Sequence, residues 1–312
     1  MRAVVLGGAG FIGSHLVDAL LARGDEVVVV DNLLTGRRDN AERHLREARY
    51  RFLEHDICQP IPVEGPAQAV FNLASPASPI DYARLSLETL DVGSIGTRNA
   101  LDLARRAGAT MVQASTSEIY GDPAMHPQRE EYFGNVNTVG PRACYDEAKR
   151  FGEALVSTYA RVHRVPVRLA RIFNTYGPRM RTDDGRVVPA FVTEALRGED
   201  FTIFGDGTQT RSFCYVSDLV AGLLALLEKG DARPVNLGNP REMTLIELAD
   251  AVRKVVGKGG QLRPVQPLPE NDPQKRRPDI SRARALLGWE PRVSLEEGLV
   301  PTVAFFRSEL AL

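Results

Sequence analysis

Residues 6–13 read "LGGAGFIG". They follow a short apolar run, "AVVL" (3–6), and open "FIGSHLVDALLARG" (11–24), whose apolar residues recur at helical spacing and stop at Gly24. A strand, a tight glycine turn and a helix in that order begin a βαβ unit. Gly7, Gly10 and Gly13 serve the turn, the close approach of backbone to a pyrophosphate and the packing of helix on strand. Phe11 and Ile12 open the helix, whose free N–H groups and positive dipole end attract phosphate. Glycines alone are weak evidence, and the next run strengthens them. "EVVVVD" (26–31) is strand-like and ends on Asp31, with Asn32 beside it. An acid roughly 20 residues past the turn accepts ribose hydroxyls and repels a 2′-phosphate, which favours NAD over NADP. Arg37 and Arg38 follow closely and are the residues that would instead greet a phosphate. Asp56 and Ile57 follow the third strand, where Asp56 meets the adenine edge or sits in a solvated loop. Leu73 and Ala74 close "AVFNLA" (69–74) and are assigned to the cofactor as well.

Working outward, "ATMVQAS" (109–115) and "VPVRLARIFN" (165–174) are further strands, and a long helical stretch runs from about Ser86 to Arg106. Strands alternating with helices predict an α/β fold, a Rossmann-type doubly wound parallel sheet over residues 1–176. Beyond Gly177 the pattern changes. Short strands such as "FTIF" (201–204) and "PVNLG" (234–238) mix with helices at 217–229, 244–256 and 295–309. This predicts a smaller α/β C-terminal region, 177–312, that binds substrate, with the chain able to cross back between the two.

Composition narrows the function classes. A chain of 312 residues buries a large core without disulfides or metal. Lys plus Arg is 39 and Asp plus Glu is 40, so no nucleic-acid partner is expected. Cys58, Cys144 and Cys214 are widely spaced and odd in number, which suits a reducing compartment. The histidines are scattered at no ligand spacing, so no metal is expected. Met1 leads directly into a strand-like run, and no apolar run reaches membrane length. The expectation is a soluble, cytoplasmic protein with no membrane partner.

"QASTSEIYGD" (113–122) sets a different question. Three hydroxyls and a carboxylate at a strand end are poor packing material. Downstream, "YDEAK" places Tyr145 and Lys149 four residues apart on one helical face. A phenol has a reference pKa of about 10 and is a poor base at neutral pH. The expectation is that the lysine ammonium lowers that pKa and also holds the nicotinamide ribose. With Thr116 sharing the hydrogen bond, Tyr145 removes the proton of an alcohol while NAD takes the hydride.

"GGAGFIGSHL", "ASTSEIYGD", "YDEAKR" and "RIFNTYGPRM" resemble the extended short-chain dehydrogenases/reductases that modify nucleotide sugars. "LASPASPIDY" (73–82), "GPRACYDEAKR" (140–150), "DDGRVVPAF" (183–191) and "NDPQKRRPDI" (271–280) narrow the resemblance to the UDP-glucuronate decarboxylase (UDP-xylose synthase) family. Related 4,6-dehydratases usually carry Thr-Asp-Glu where this chain has Thr116-Ser117-Glu118, and epimerases usually lack the Glu. The resemblance implies a redox-neutral sequence. The sugar's C4 hydroxyl is oxidised, the resulting β-keto acid loses carbon dioxide, C5 is protonated, and C4 is reduced again to give UDP-xylose. It places Glu118 and Arg276 near C5, for ring positioning, the carboxylate region and protonation, with Ser117 delivering a proton or holding a water. From the residues alone, the cations of "NDPQKRRPDI" read as a solvated surface.

The resemblance also implies the substrate side. Ser78 and Tyr82 belong to the loop near the sugar. Asn174, Arg179, Arg211 and Tyr215 serve the UDP phosphates and ribose, and Val188 and Phe204 flank the uracil. Gly93 stands where relatives carry Asn, which puts local helix geometry in question. Helices at about 84–106 and 142–163 carry apolar residues beyond one face (Ala148, Phe151, Leu155, Tyr159 and Val162; Leu87, Leu90 and Leu101). In the family, such helices pair in a homodimeric four-helix bundle. The competing readings are an NAD-dependent nucleotide-sugar 4-epimerase or 4,6-dehydratase, and a non-catalytic NAD-sensing protein.

Overall fold

The computed structural model describes residues 1–266 and 275–312, so residues 271–274 of the "NDPQKRRPDI" block lie outside it. The chain opens β1 (Arg2–Leu6), α1 (Phe11–Ala22), β2 (Glu26–Asp31), α2 (Arg38–Glu42), β3 (Tyr50–Glu54) and β4 (Ala69–Asn72). It continues α3 (Pro79–Arg84), α4 (Ser86–Asp91), α5 (Thr97–Ala107), β5 (Thr110–Thr116), α6 (Ala143–His163) and β6 (Val167–Ile172). Then follow β7 (Thr175–Tyr176), α7 (Val187–Arg197), β8 (Phe201–Phe204), β9 (Thr210–Ser212), β10 (Cys214–Tyr215) and α8 (Val216–Lys229). Last come β11 (Pro234–Leu237), β12 (Glu242–Thr244), α9 (Leu245–Val256), β13 (Leu262–Gln266) and α10 (Leu295–Glu309).

Among the described residues, seven parallel strands pair in the order β11-β6-β5-β4-β1-β2-β3. The winding reverses between β1 and β4, and a crevice opens at the carboxyl ends of the strands there. Period-two alternation sends Ala3 and Val5 to one face and Val4 and Leu6 to the other. The first face packs on Leu16, Val17 and Leu20 of α1 and Leu219 and Leu223 of α8. The second packs on Ala100, Leu101 and Ala104 of α5 and Val156 of α6. A separate core joins Phe191, Phe201, Leu248 and Phe306 from α7, β8, α9 and α10.

The chain crosses back as the expectation allowed, and the long helical stretch is interrupted. The run "PVNLG" belongs to the main sheet, where β11 pairs with β6 from Pro234↔Leu169 to Leu237↔Ile172. The predicted helix from Ser86 to Arg106 passes through a π-helical turn, Val92–Gly96, between α4 and α5. Gly93 lies in that turn, where an added Cβ would meet the Ala148 Cβ at 2.6 Å. The missing side chain therefore lets the turn press against α6 next to Lys149. The apolar stripe also divides. Leu101 and Ala148 are buried within the chain, whereas Leu87, Leu90, Phe151 and Val162 are exposed, together with Ile95. No helix among the described residues is long and apolar enough to cross a membrane.

Candidate active site

A cavity of about 920 Å³ opens at the reversal point of the sheet. It lies at the upper end of the range for small-molecule and cofactor pockets. Its floor is the glycine turn: Gly7, Gly10, Phe11, Ile12 and Gly13 line it, with Leu73 opposite. Gly7 has φ +79°, and a Cβ there would lie 2.7 Å from the Ala74 nitrogen; a Cβ on Gly13 would lie 2.1 Å from the Gly7 oxygen. The turn has no room for side chains, and its backbone stays bare toward the cavity. That shape fits a dinucleotide diphosphate at the N-terminus of α1.

Asp31 ends β2 against this turn. Its Oδ2 accepts from the Ala9 N–H at 2.9 Å and its Oδ1 from the Leu33 N–H at 2.9 Å. Burial raises its carboxyl pKa, and these two amides oppose the rise. Each oxygen keeps a lone pair for a ribose hydroxyl. The two nearby arginines are occupied. Arg37 pairs with Glu309 at 2.6 Å and Arg38 with Glu54 at 2.9 Å. Asp31 stands behind the cavity wall, and four other expected cofactor contacts sit off it as well. Asn32 turns its Oδ1 to the Leu34 N–H, and Asp56 closes an Asx turn onto the Cys58 N–H. Ile57 is buried in the core under α5, and Ala74 backs the glycine turn.

The strand end "ASTSE" separates into distinct tasks. Ser115 faces away and donates to Glu153 at 2.6 Å, which is also held by Arg171 at 2.9 Å. Thr116 caps the short 3-10 turn Ser117–Tyr120 by accepting from the Glu118 N–H at 3.3 Å, and it lines the cavity with Tyr145. Ser117 is buried on the cavity wall. Glu118 is partly buried, its side chain 12% exposed, between two guanidiniums, with Arg276 at 2.6 Å and Arg142 at 2.5 Å. Burial pushes its carboxyl up, but Arg276 and Arg142 outweigh burial and hold it below the usual range. The surface reading of the "QKRRP" cations is thus corrected at Arg276, which is 7% exposed.

Tyr145 and Lys149 rise from the first turns of α6 beside this strand end. Tyr82 stacks on Tyr145 with centroids 4.9 Å apart and planes 12° apart. The Lys149 Nζ donates to the Ala114 carbonyl at 3.0 Å and lies 5.7 Å from the Tyr145 ring centroid. Burial pushes the Tyr145 phenol up to about 12, opposed by the Thr116 hydroxyl and the charge of Arg186. Burial also depresses Lys149 to about 8. Arg186 was missed by the sequence reading, although "DDGRVVPAF" contains it; it lines the cavity and pairs with Asp184 at 2.5 Å. Arg142 was also missed, although it stands three residues before Tyr145, a spacing that shares a helix face.

Ser78, Tyr82, Asn174, Arg179, Val188, Phe204 and Arg211 also line the cavity. Ser78 caps α3 by accepting from Asp81 at 3.1 Å. Asn174 accepts from Arg276 at 3.4 Å. Arg179 sits on the α1 side, where its guanidinium pairs with Asp18 of α1, so its charge is already engaged. Tyr215 is corrected outright: it packs on Tyr176, centroids 5.5 Å apart, and against Gly298 of α10, away from the cavity. Among the described residues, no group of three or more His, Cys, Asp or Glu side chains is placed to hold a metal ion.

A bare glycine turn beside an acid-ended strand, facing a Thr/Tyr/Lys group, defines a dinucleotide-dependent class. The chain belongs to the NAD dependent epimerase/dehydratase family, whose model matches residues 3–238. It is 50% identical over 309 residues to UDP-glucuronic acid decarboxylase 1 of Xenopus tropicalis, covering 99% of this chain and 73% of that protein. It is 49% identical over 313 residues to UDP-glucuronic acid decarboxylase 5 of Arabidopsis thaliana, covering 100% and 91%. Its fold is similar to that of a UDP-glucose 4-epimerase from Thermotoga maritima solved with UDP-glucose (TM-score 0.88, 33% identity, 99% and 100% coverage). It is also similar to a Bacillus cereus UDP-glucuronic acid 4-epimerase solved with UDP-glucuronic acid and NAD (TM-score 0.86, 27% identity, 99% and 100% coverage).

Proposed function

We propose that this chain is a UDP-glucuronate decarboxylase that uses NAD catalytically and releases UDP-xylose and carbon dioxide. The observation that carries the reading is the Glu118–Arg276 ion pair facing the same cavity as Thr116 and Tyr145. The half-identical relatives of that name support it over nearly the whole chain.

NAD, when bound, accepts and returns the hydride at the sugar's C4. The glycine turn with Phe11 and Ile12 holds its diphosphate, Asp31 its adenosine ribose, and Lys149 its second ribose. Thr116 and Tyr145 share the C4 hydroxyl, and the phenolate form of Tyr145, which the neighbouring Lys149 ammonium favours against burial, takes its proton and becomes the neutral phenol. In the 4-keto acid the C5 carboxylate lies β to the carbonyl, so the electrons of the breaking C–C bond pass to the C4 oxygen as an enolate. Tyr145 and Thr116 donate hydrogen bonds to that oxygen. Carbon dioxide leaves and C5 takes up one proton, so each turnover consumes one proton from solvent. Glu118, kept ionised by Arg276 and Arg142, acts as an acceptor that positions the ring. The C5 proton then comes from the Ser117 side, through its hydroxyl or a water it holds. Ser78, Tyr82, Asn174, Val188, Phe204 and Arg211 frame the UDP-sugar.

Residues 1–176 with the returning strand β11 form the cofactor half in this reading, and most of 177–312 the sugar half. The exposed Leu87, Leu90, Ile95, Phe151 and Val162 suit a homodimer in which two helices from each copy make a four-helix bundle. Three free cysteines suit the reducing cytoplasm.

The test is mass spectrometry of the protein incubated with UDP-glucuronate and substoichiometric NAD. Loss of the mass of one carbon dioxide from the nucleotide sugar, without accumulation of NADH, is expected. An isomer of unchanged mass would replace the reading with an epimerase.

A further inference from the structure

The last helix of the chain reaches the cofactor end of the cavity. Arg37 lines that end, and its backbone N–H bonds the Ala9 carbonyl of the glycine turn at 3.0 Å. The residue before it, Gly36, is so close to Asp31 that a Cβ there would lie 2.8 Å from the Oδ1. The backbone of Arg37 therefore stands beside the acid that faces the ribose 2′ position. An arginine near that acid is what accommodates a 2′-phosphate in NADP-dependent relatives of this fold type.

Its guanidinium is held elsewhere. Nη1 donates to Glu309 Oε2 at 2.6 Å and Nη2 to Glu309 Oε1 at 3.2 Å, a forked pair. Phe305, one turn earlier on α10, lies 5.9 Å beneath it. Asp39 adds a weaker contact at 3.3 Å. Glu309 is the last residue of α10, and a carboxylate at a helix C-terminus is opposed by the helix dipole. Its placement is thus costly to the helix itself, and the forked contact with Arg37 is what offsets that.

We propose that Glu309 is a coenzyme-selectivity residue: by clamping Arg37 it withholds a cation from the 2′ position and reinforces the choice of NAD over NADP. Asp31 repels a 2′-phosphate, and Glu309 removes the group that would attract one. The proposal rests on the NAD reading of the cavity.

The test is fluorescence titration of nucleotide-stripped protein with NADH and, separately, NADPH. The wild-type chain is expected to bind NADH and to bind NADPH more weakly. Glu309→Gln should tighten NADPH binding about tenfold, the effect of one charge-assisted hydrogen bond, with NADH affinity held within about twofold. Glu309→Gln combined with Arg37→Ala should lose the NADPH gain. An unchanged NADPH affinity in a Glu309→Gln variant that still binds NADH overturns the proposal, as does a gain that survives in the double variant. Glu309→Ala is the second variant. If both single variants lose NADH binding and melt early, Glu309 is a structural anchor and the proposal falls. A wild-type chain that binds neither nucleotide overturns the NAD reading itself.

Discussion

Asp146 follows Tyr145, yet its own carboxyl is turned into a second, smaller cavity lined by Asp122, Asn135 and Asn137. It is 7% exposed, and its Oδ1 has no hydrogen-bond partner. Burial, reinforced by the charge of Glu118, pushes it up to about 7, against the opposing pull of Arg142 and Arg276. An unfolded aspartate titrates near 3.9. The folded chain therefore binds a proton that the unfolded chain releases between those two values, and stability falls as pH rises through that window. A shift of about 3 units sets a ceiling of about 4 kcal/mol, and partial solvation brings the expected loss to about 2 kcal/mol. Asp146→Asn removes the titration. At about pH 8 its thermal midpoint should exceed that of the wild-type chain by roughly 4 °C, and the difference should shrink at about pH 4.5. Differential scanning fluorimetry of both proteins across this range is the assay. A midpoint difference that does not vary with pH would refute the reasoning, because it would mean that Asp146 does not titrate there.

Three further outcomes are expected. Tyr145→Phe should keep NADH binding while turnover of UDP-glucuronate falls by about 10²–10⁴, and near-normal turnover would remove the phenol from the chemistry. Glu118→Gln removes the carboxylate shared by buried Arg276 and partly buried Arg142 and should cost about 3–5 kcal/mol in denaturant unfolding. A cost below about 1 kcal/mol would show that solvent screens the site. Gly93→Asn drives a side chain into Ala148 and should destabilise the α4–α6 contact by about 1–3 kcal/mol; an unchanged melting midpoint would contradict the packing.

The strands and long helices were legible because period and punctuation agree in them. The helices expected at 217–229, 244–256 and 295–309 appear at Val216–Lys229, Leu245–Val256 and Leu295–Glu309. Thr244 and Ser294 cap the last two in full capping boxes with Glu247 and Glu297, which is why their starts could be read closely. What stayed hidden depends on distance in the chain. No local pattern tells that β11 crosses back to β6, because the run "PVNL" is apolar enough for either sheet or lobe. The π-helical turn at Val92–Gly96 presses Gly93 against Ala148 of α6, a contact that no local pattern announces. At the site, Tyr145, Lys149 and Thr116 carry a recognisable spacing. Arg142 and Arg186 do not, since an arginine in a loop reads as solvated until its carboxylate partner is found. The lysine is a partial case, since its Nζ stands 5.7 Å from the Tyr145 ring centroid and is bonded to the Ala114 carbonyl. Helical spacing sets which face a side chain shares, but not whether its charge reaches the oxygen.

The return of β11 has a consequence for how the molecule is made. During synthesis the sheet stays open at β6 until residue 237 has left the ribosome, after the strands and helices of residues 175–229 have been laid down. A nascent chain or fragment ending near residue 176 presents β6, with Leu169 and Ile172, as an uncovered parallel edge. Such an edge is a template for joining other chains. The two halves are therefore one folding unit with a late closing step, and cutting the chain at the apparent boundary would yield an aggregating fragment in place of a nucleotide-binding domain.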